Sequence, residues 1–91
     1  MVKIMKIKHI GSNMTEIEVN GTFILFSYNT PVAGRSIKIS DDGYFKTSEH
    51  YSATTTRHVN KYFRDEWDMD AKTEVPEISQ DDIYKLTDGI K

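Results

Sequence analysis

The chain has 91 residues, a formal net charge of −2, 37% hydrophobic residues and 29% charged residues. A chain of this length forms one small domain that buries somewhat over ~60% of its unfolded surface, so the sequence predicts a thin core. The lack of cysteine excludes disulfides, thiolate metal sites and cysteine nucleophiles. No apolar run approaches the roughly 20 residues that a membrane-spanning helix needs, so we expect no membrane partner. A core this thin leaves self-association into a homo-oligomer open.

A first hairpin is predicted near the start of the chain. An alternating segment over residues 3–10 leads through turn residues into a strand over residues 14–19. Asn20-Gly21 then predicts a type I′ turn, because both central positions of that turn need positive φ. Residues 22–28 return as the paired strand.

The two-residue turn fixes which side chains share a face of this hairpin. It places Glu16 opposite Leu25 and Glu18 opposite Phe23, so this face is mixed in polarity. We expect a helix or a partner protein to cover Phe23 and Leu25. The other face is apolar throughout and consists of Ile17, Val19, Ile24, Phe26 and Tyr28.

A second hairpin is expected after a break in the sheet. Pro31 should interrupt the sheet, because proline has no N–H to donate to a strand ladder. The alternation of Ile37 and Ile39 predicts a strand over residues 35–40, and residues 44–48 return after a turn at residues 41–43.

Two helices are predicted in the second half. The first spans residues 54–67, begins at capping threonines, and carries one apolar stripe made of Val59, Tyr62, Phe63 and Trp67. Residues 68–78 indicate an acidic linker, and Ser79 caps a short helix over residues 79–89 that ends at Gly89. The predicted fold class is therefore α+β: a small, mostly antiparallel sheet of about five strands, with one amphipathic helix packed on it and a short C-terminal helix.

Charge is distributed unevenly along the chain. Residues 1–64 hold nine Lys and Arg against five Asp and Glu, whereas residues 65–91 hold three against nine. Such an acidic tail can repel anions, cover a basic surface or keep the protein in solution.

A basic stripe on the 54–67 helix is the main candidate site. Arg57, Lys61 and Arg64 follow at i, i+4 and i+7, so they share one helix face and can neutralise two or three phosphates. An amphipathic helix also needs some polar surface toward water, and these cations equally fit that role. Three nearby side chains could stack on a base, namely His50, Tyr51 and His58.

Metal and catalytic sites find little support in the sequence. The three histidines lack the paired spacing of zinc ligands, so we expect no metal and no cofactor. No serine or threonine stands in a recognisable nucleophile motif, so the sequence favours a non-enzymatic protein.

Six short segments resemble a family of short, uncharacterised proteins of tailed phages. They cover most of residues 11–67 and are GSNMT (11–15), ILFSY (24–28), TPVA (30–33), YS (51–52), TT (54–55) and RHVNKYF (57–63). The resemblance implies a phage accessory protein acting in the cytoplasm of the infected bacterium, and it contributes no catalytic residue.

Two functional hypotheses follow. In the first, the chain is a binding module that contacts nucleic acid or its machinery through the basic stripe and the preceding loop. In the second, it binds a host protein through the mixed sheet face around Phe23 and Leu25.

Overall fold

The protein folds around one six-stranded sheet that carries its main helix on one face. The computed structural model describes residues 5–39 and 42–88, and its fold class is α+β, as predicted. The strands lie in chain order, each antiparallel to its neighbour except β6, which runs parallel to β5. The strands are β1 (Met5–Gly11), β2 (Met14–Val19), β3 (Thr22–Ser27), β4 (Thr30–Arg35), β5 (Tyr44–Thr47) and β6 (Glu77–Ile78). The helices are α1 (Ala53–Trp67), α2 (Ala71–Glu74) and α3 (Gln80–Asp88).

The first hairpin is confirmed in both turn and register. Asn20 and Gly21 have φ of 51° and 80°, as a type I′ turn requires. Glu16 pairs with Leu25, and Glu18 pairs with Phe23. The predicted start of the first strand at Lys3 lies outside the described residues.

Helix α1 packs on the mixed face of this hairpin and forms the main core with it. The Tyr62 hydroxyl donates a hydrogen bond of 2.7 Å to Glu16 Oε2, and the rings of Phe23 and Trp67 meet edge to face at 5.3 Å. Leu25 is 0% exposed beneath the helix. The core cluster comprises Met14, Leu25, Val32, Ala33, Val59, Tyr62, Phe63, Ala71 and Val75.

The second hairpin lies earlier in the chain than predicted. Pro31 does not interrupt the sheet but pairs with Phe26 beside a register shift in the β3–β4 ladder. Such an irregularity is one of the few places where a strand accommodates proline, because a ladder hydrogen bond is already missing there. The predicted strand over residues 35–40 is wrong over residues 36–39, since Arg35 ends β4 and Ile37 is 76% exposed in a turn. Ser40 lies outside the described residues. Asp41 of the predicted turn lies outside the described residues.

The predicted acidic linker at residues 68–78 is instead structured. It contains α2, whose Ala71 is buried, and then β6, which pairs with β5 through Lys46 and Glu77. The Lys46 ammonium also donates to the Ala71 carbonyl oxygen. The sequence signal was weak here because a few apolar anchors, including Val75, are spaced among acidic side chains.

Helix α3 begins as predicted and docks against an interior strand. Ser79 Oγ accepts a hydrogen bond of 3.1 Å from the Asp82 amide, which confirms the cap. Gln80 Nε2 donates to the Pro31 carbonyl oxygen of β4 at 2.7 Å, and Ile83 is fully buried. Gly89, the predicted end of this helix, lies outside the described residues.

Candidate nucleic-acid interface

The orientation of α1 follows from its cap and its apolar stripe. The cap is Ser52, whose hydroxyl accepts the Thr55 amide at 3.1 Å, so the helix begins slightly earlier than the predicted threonine start. Val59, Tyr62 and Phe63 are buried against the sheet. The opposite side of α1 therefore faces solvent.

The three predicted cations lie together on this outward side. Arg57, Lys61 and Arg64 are all exposed. Lys61 Nζ lies 2.9 Å from Asp65 Oδ2, and Arg64 Nε lies 3.4 Å from Asp65 Oδ1. The hydrogen bond from Lys61, and then the charges of both cations, hold the pKa of Asp65 below its usual range. The stripe therefore carries one carboxylate among its three cations.

Arg57 is the cation of the stripe farthest from that carboxylate in the chain. Its guanidinium Nη2 donates to Thr54 Oγ1 at 3.2 Å, and this hydroxyl carries no charge to offset that of the guanidinium. The first turn of α1 contains no acidic residue. Positive potential is therefore expected to be strongest toward the N-terminal half of the helix.

Two shallow depressions run along one flank of α1. The first has a volume of about 220 Å³ and is lined by the predicted residues His50 and Tyr51, by Thr56 and Asn60 of the helix, and by Lys46, among others. Tyr51 is 47% exposed, so part of its side chain is accessible to a ligand. Carboxylates of Glu49 and Glu77 line the same depression.

The second depression has a volume of about 460 Å³ and continues from the first at Asn60. Arg64 and Lys72 line it, together with the carboxylates of Asp68 and Asp70. Asn60 and Lys72 were missed by sequence reasoning. The helical spacing from Asn60 to Arg64 could have indicated Asn60, but Lys72 is brought to the site only by the chain reversal into α2.

His58 does not join the outward face. Its ring lies 5.7 Å from that of Tyr28, and its Nδ1 lies 2.8 Å from Ser27 Oγ, beneath the helix. Burial, and then the charge of Arg57, lower the pKa of His58. The ring of His58 is thus turned toward the sheet, away from the face of α1 that carries Arg57 and Lys61.

The Ser27–His58 contact resembles a nucleophile and its base, but its surroundings argue against that role. Ser27 is only 2% exposed, and its hydroxyl also contacts Thr55 Oγ1 at 3.2 Å. A nucleophile must reach a substrate, and this hydroxyl is enclosed by the strand and the helix. The contact is best explained as one that fixes the start of α1 on β3.

The second predicted surface is not accessible to a partner. Leu25 is fully buried under α1, and Phe23 is half-buried against Trp67. The sequence analysis also allowed for a helix to cover these residues, and in the structure α1 covers them. Among the described strand residues, the large apolar side chains that are exposed are instead Met5 and Ile7 of β1.

Over residues 5–39 and 42–88, no three His, Asp or Glu side chains come together in a way that could hold a metal ion. In the same part of the chain, no helix is long and apolar enough to cross a membrane.

Comparison with protein families gives a match that spans nearly the whole structure. The model of a family of unknown function, DUF8033, matches residues 5–85. The chain belongs to DUF8033. The DUF8033 match takes in all six strands, α1, α2 and most of α3, so the sheet and both of its packed helices form one family unit. Among curated proteins and among solved structures, none matches this chain.

Proposed function

We propose that this protein is a non-enzymatic binding module that holds nucleic acid on the outward face of α1 and in the depressions beside it. The observation that carries the proposal is the exposure of Arg57, Lys61 and Arg64 on one side of a single helix. Phosphate contacts supply most of the affinity in such complexes. The partly exposed side chain of Tyr51, which immediately precedes the helix cap, adds a surface on which an unpaired base can stack. Single-stranded nucleic acid is therefore the preferred ligand.

Carboxylates limit the strength of this interaction. Asp65 compensates part of the charge of Lys61 and Arg64, and Asp68 and Asp70 line the depression at the C-terminal half of the helix. The bound nucleic acid should therefore contact the N-terminal half of α1 most closely, near Arg57 and Tyr51. With two or three neutralised phosphates, the logarithm of the binding constant should fall with the logarithm of salt at a slope between about −1.4 and −2.

We place this activity in a phage accessory protein acting in the cytoplasm of the infected bacterium. Support comes from the resemblance of residues 11–67 to short tailed-phage proteins. The alternative function is binding to a host protein. The surface predicted for it, around Phe23 and Leu25, cannot serve, because Leu25 is buried. The exposed side of β1 is the place where a protein partner would have to bind.

Fluorescence anisotropy with labelled single-stranded DNA, duplex DNA and RNA, at several salt concentrations, tests the proposal. We expect an Arg57→Ala/Lys61→Ala variant to bind single strands at least about tenfold more weakly at low salt and to show a shallower salt slope. The matched control is Lys38→Ala/Lys85→Ala, which removes two exposed cations elsewhere on the protein.

A second variant tests the same surface in the opposite direction. Asp65→Asn removes the carboxylate that pairs with Lys61 and Arg64, so it should strengthen binding severalfold. An equal loss of affinity in Arg57→Ala/Lys61→Ala and in Lys38→Ala/Lys85→Ala would mean that binding depends only on the net charge of the protein. Absence of binding at low salt, or no effect of Asp65→Asn, would contradict the proposal.

A further inference from the structure

Strand β1 forms an open edge of the sheet. It pairs with β2 on one side, and no strand among the described residues pairs with its other side. β1 is seven residues long, whereas the strand at the opposite edge, β6, has only two. A long edge strand presents a row of backbone donors and acceptors that can pair with another strand.

The two faces of β1 differ in chemistry. Met5 and Ile7 pair with Val19 and Ile17 of β2 and point to the side opposite α1, where they are 46% and 60% exposed. Ile17 is half-buried beside Ile7, and Ile24 of the next strand is fully buried. Apolar surface therefore continues from the interior of the sheet to its open edge.

The face of β1 on the side of α1 is basic. Lys8 forms an ion pair of 2.8 Å with Glu66 of the helix. Lys6 is exposed and stands opposite Glu18, yet in the described part of the chain it forms no ion pair within 4.0 Å. An incoming strand thus meets apolar side chains on one face and lysines on the other.

This arrangement disfavours pairing of β1 with a second copy of itself. Antiparallel pairing over the full length of β1 places Lys8 opposite Lys8, and a register shifted by two residues toward the start of β1 places Lys6 opposite Lys8. Directly opposed side chains in a sheet are only about 4.5–5.5 Å apart at Cβ, and like charges at that distance are destabilising. Lysines on an edge strand commonly prevent such pairing.

We propose that β1 accepts an extended segment of a protein partner whose side chains alternate between apolar and acidic. Its backbone would pair with the open edge, its apolar residues would cover Met5 and Ile7, and its carboxylates would lie beside Lys6 and Lys8. The same lysines that reject another β1 select for the acidic residues of this segment, since one charge can serve both attraction and exclusion. Strand addition of this kind draws affinity from the backbone and specificity from alternate side chains.

Anisotropy with short labelled peptides tests the proposal on the full chain. The test peptide alternates valine and glutamate; one control alternates valine and lysine, and another has the same residues as the test peptide with the valines and glutamates grouped. Only the alternating acidic peptide should bind, and amide chemical shifts of the ¹⁵N-labelled protein should change along β1.

Matched variants separate the edge strand from general surface effects. Ile7→Asn should weaken peptide binding by about fivefold or more, because it removes an apolar contact. Ile37→Asn, at a position 76% exposed in the β4–β5 turn, should leave it unchanged. Lys6→Glu, once shown to be folded by circular dichroism, should shift the preference toward the lysine peptide.

The basic stripe of α1 is the competing place where an acidic peptide could bind. Arg57→Ala/Lys61→Ala should therefore keep its peptide affinity if the peptide binds at β1. Loss of binding in that variant, equal binding of the alternating and grouped acidic peptides, or no binding up to about 1 mM would overturn the proposal.

Discussion

The two faces of the sheet differ in where they are covered. The face with Glu16 and Glu18 is covered by α1, whereas the opposite face is buried at Val19 and Ile24 but exposed at Met5 and Ile7 of the edge strand β1. Apolar content alone therefore did not decide which side chains became part of the core. Which side chains are buried depends on where α1 packs against the sheet and on which strand lies at the edge.

Two polar residues of the covered face, Glu16 and Arg35, have specific partners. Glu16 accepts the Tyr62 hydroxyl, and the Arg35 guanidinium lies 4.9 Å from the centre of the Tyr44 ring and 5.5 Å from that of Trp67. A buried carboxylate without a hydrogen bond would cost far more than one with a donor at this distance. The mixed pattern thus marks a face built around specific contacts.

The largest difference in stability should appear when the same charge is placed on each of the two faces. Leu25→Asp should lower the free energy of unfolding by at least about 4 kcal/mol, because it removes a buried side chain and buries a carboxylate. Ile7→Asp should cost about 1 kcal/mol or less, since that side chain is 60% exposed. Urea denaturation followed by Trp67 fluorescence measures both. Similar losses of stability in the two variants would mean that Ile7 is part of the core.

A smaller effect should come from the hydrogen bond that satisfies the covered face. Tyr62→Phe removes the donor to Glu16 and should cost about 1.5–3 kcal/mol, since the acceptor is a buried carboxylate. Glu16→Gln keeps an acceptor for the hydroxyl and should cost less. The two variants can be compared by the same urea titration. If Glu16→Gln were the more damaging, the carboxylate charge would matter more than the donor.

The smallest effect concerns the edge of the covered face, where His58 meets Ser27. Burial lowers the pKa of His58 in the folded protein, so the unfolded chain takes up the proton first as the pH falls. The free energy of unfolding should be highest above about pH 6.5 and should decline as the pH drops toward the folded pKa. His58→Gln should flatten this dependence, whereas His50→Gln, at an exposed histidine, should retain it. Thermal unfolding across this pH range provides the measurement, and an unchanged slope in His58→Gln would refute the assignment.

Local sequence was enough for the elements whose geometry depends on near neighbours. Asn20-Gly21 determined the first turn and, through it, the register of β2 with β3, because few residues tolerate positive φ at two successive positions. The spacing of Val59, Tyr62 and Phe63 determined the buried side of α1, and hence the side on which Arg57, Lys61 and Arg64 lie. Both patterns act within a few residues, so they can be recognised without the rest of the fold.

Only the tertiary structure decided the features that depend on distant partners. Pro31 stays within the sheet because its place falls beside an irregularity in the ladder with β3, and residues 77–78 become a strand because β5 offers them an edge. Asp65 is a near neighbour of the basic stripe in the sequence, whereas Lys72 reaches the second depression only through the turn into α2. The exposure of Ile7 likewise depends on the position of β1 at the end of the sheet. Burial is a property of the assembled layers, and a pattern along one strand cannot specify which layer will cover it.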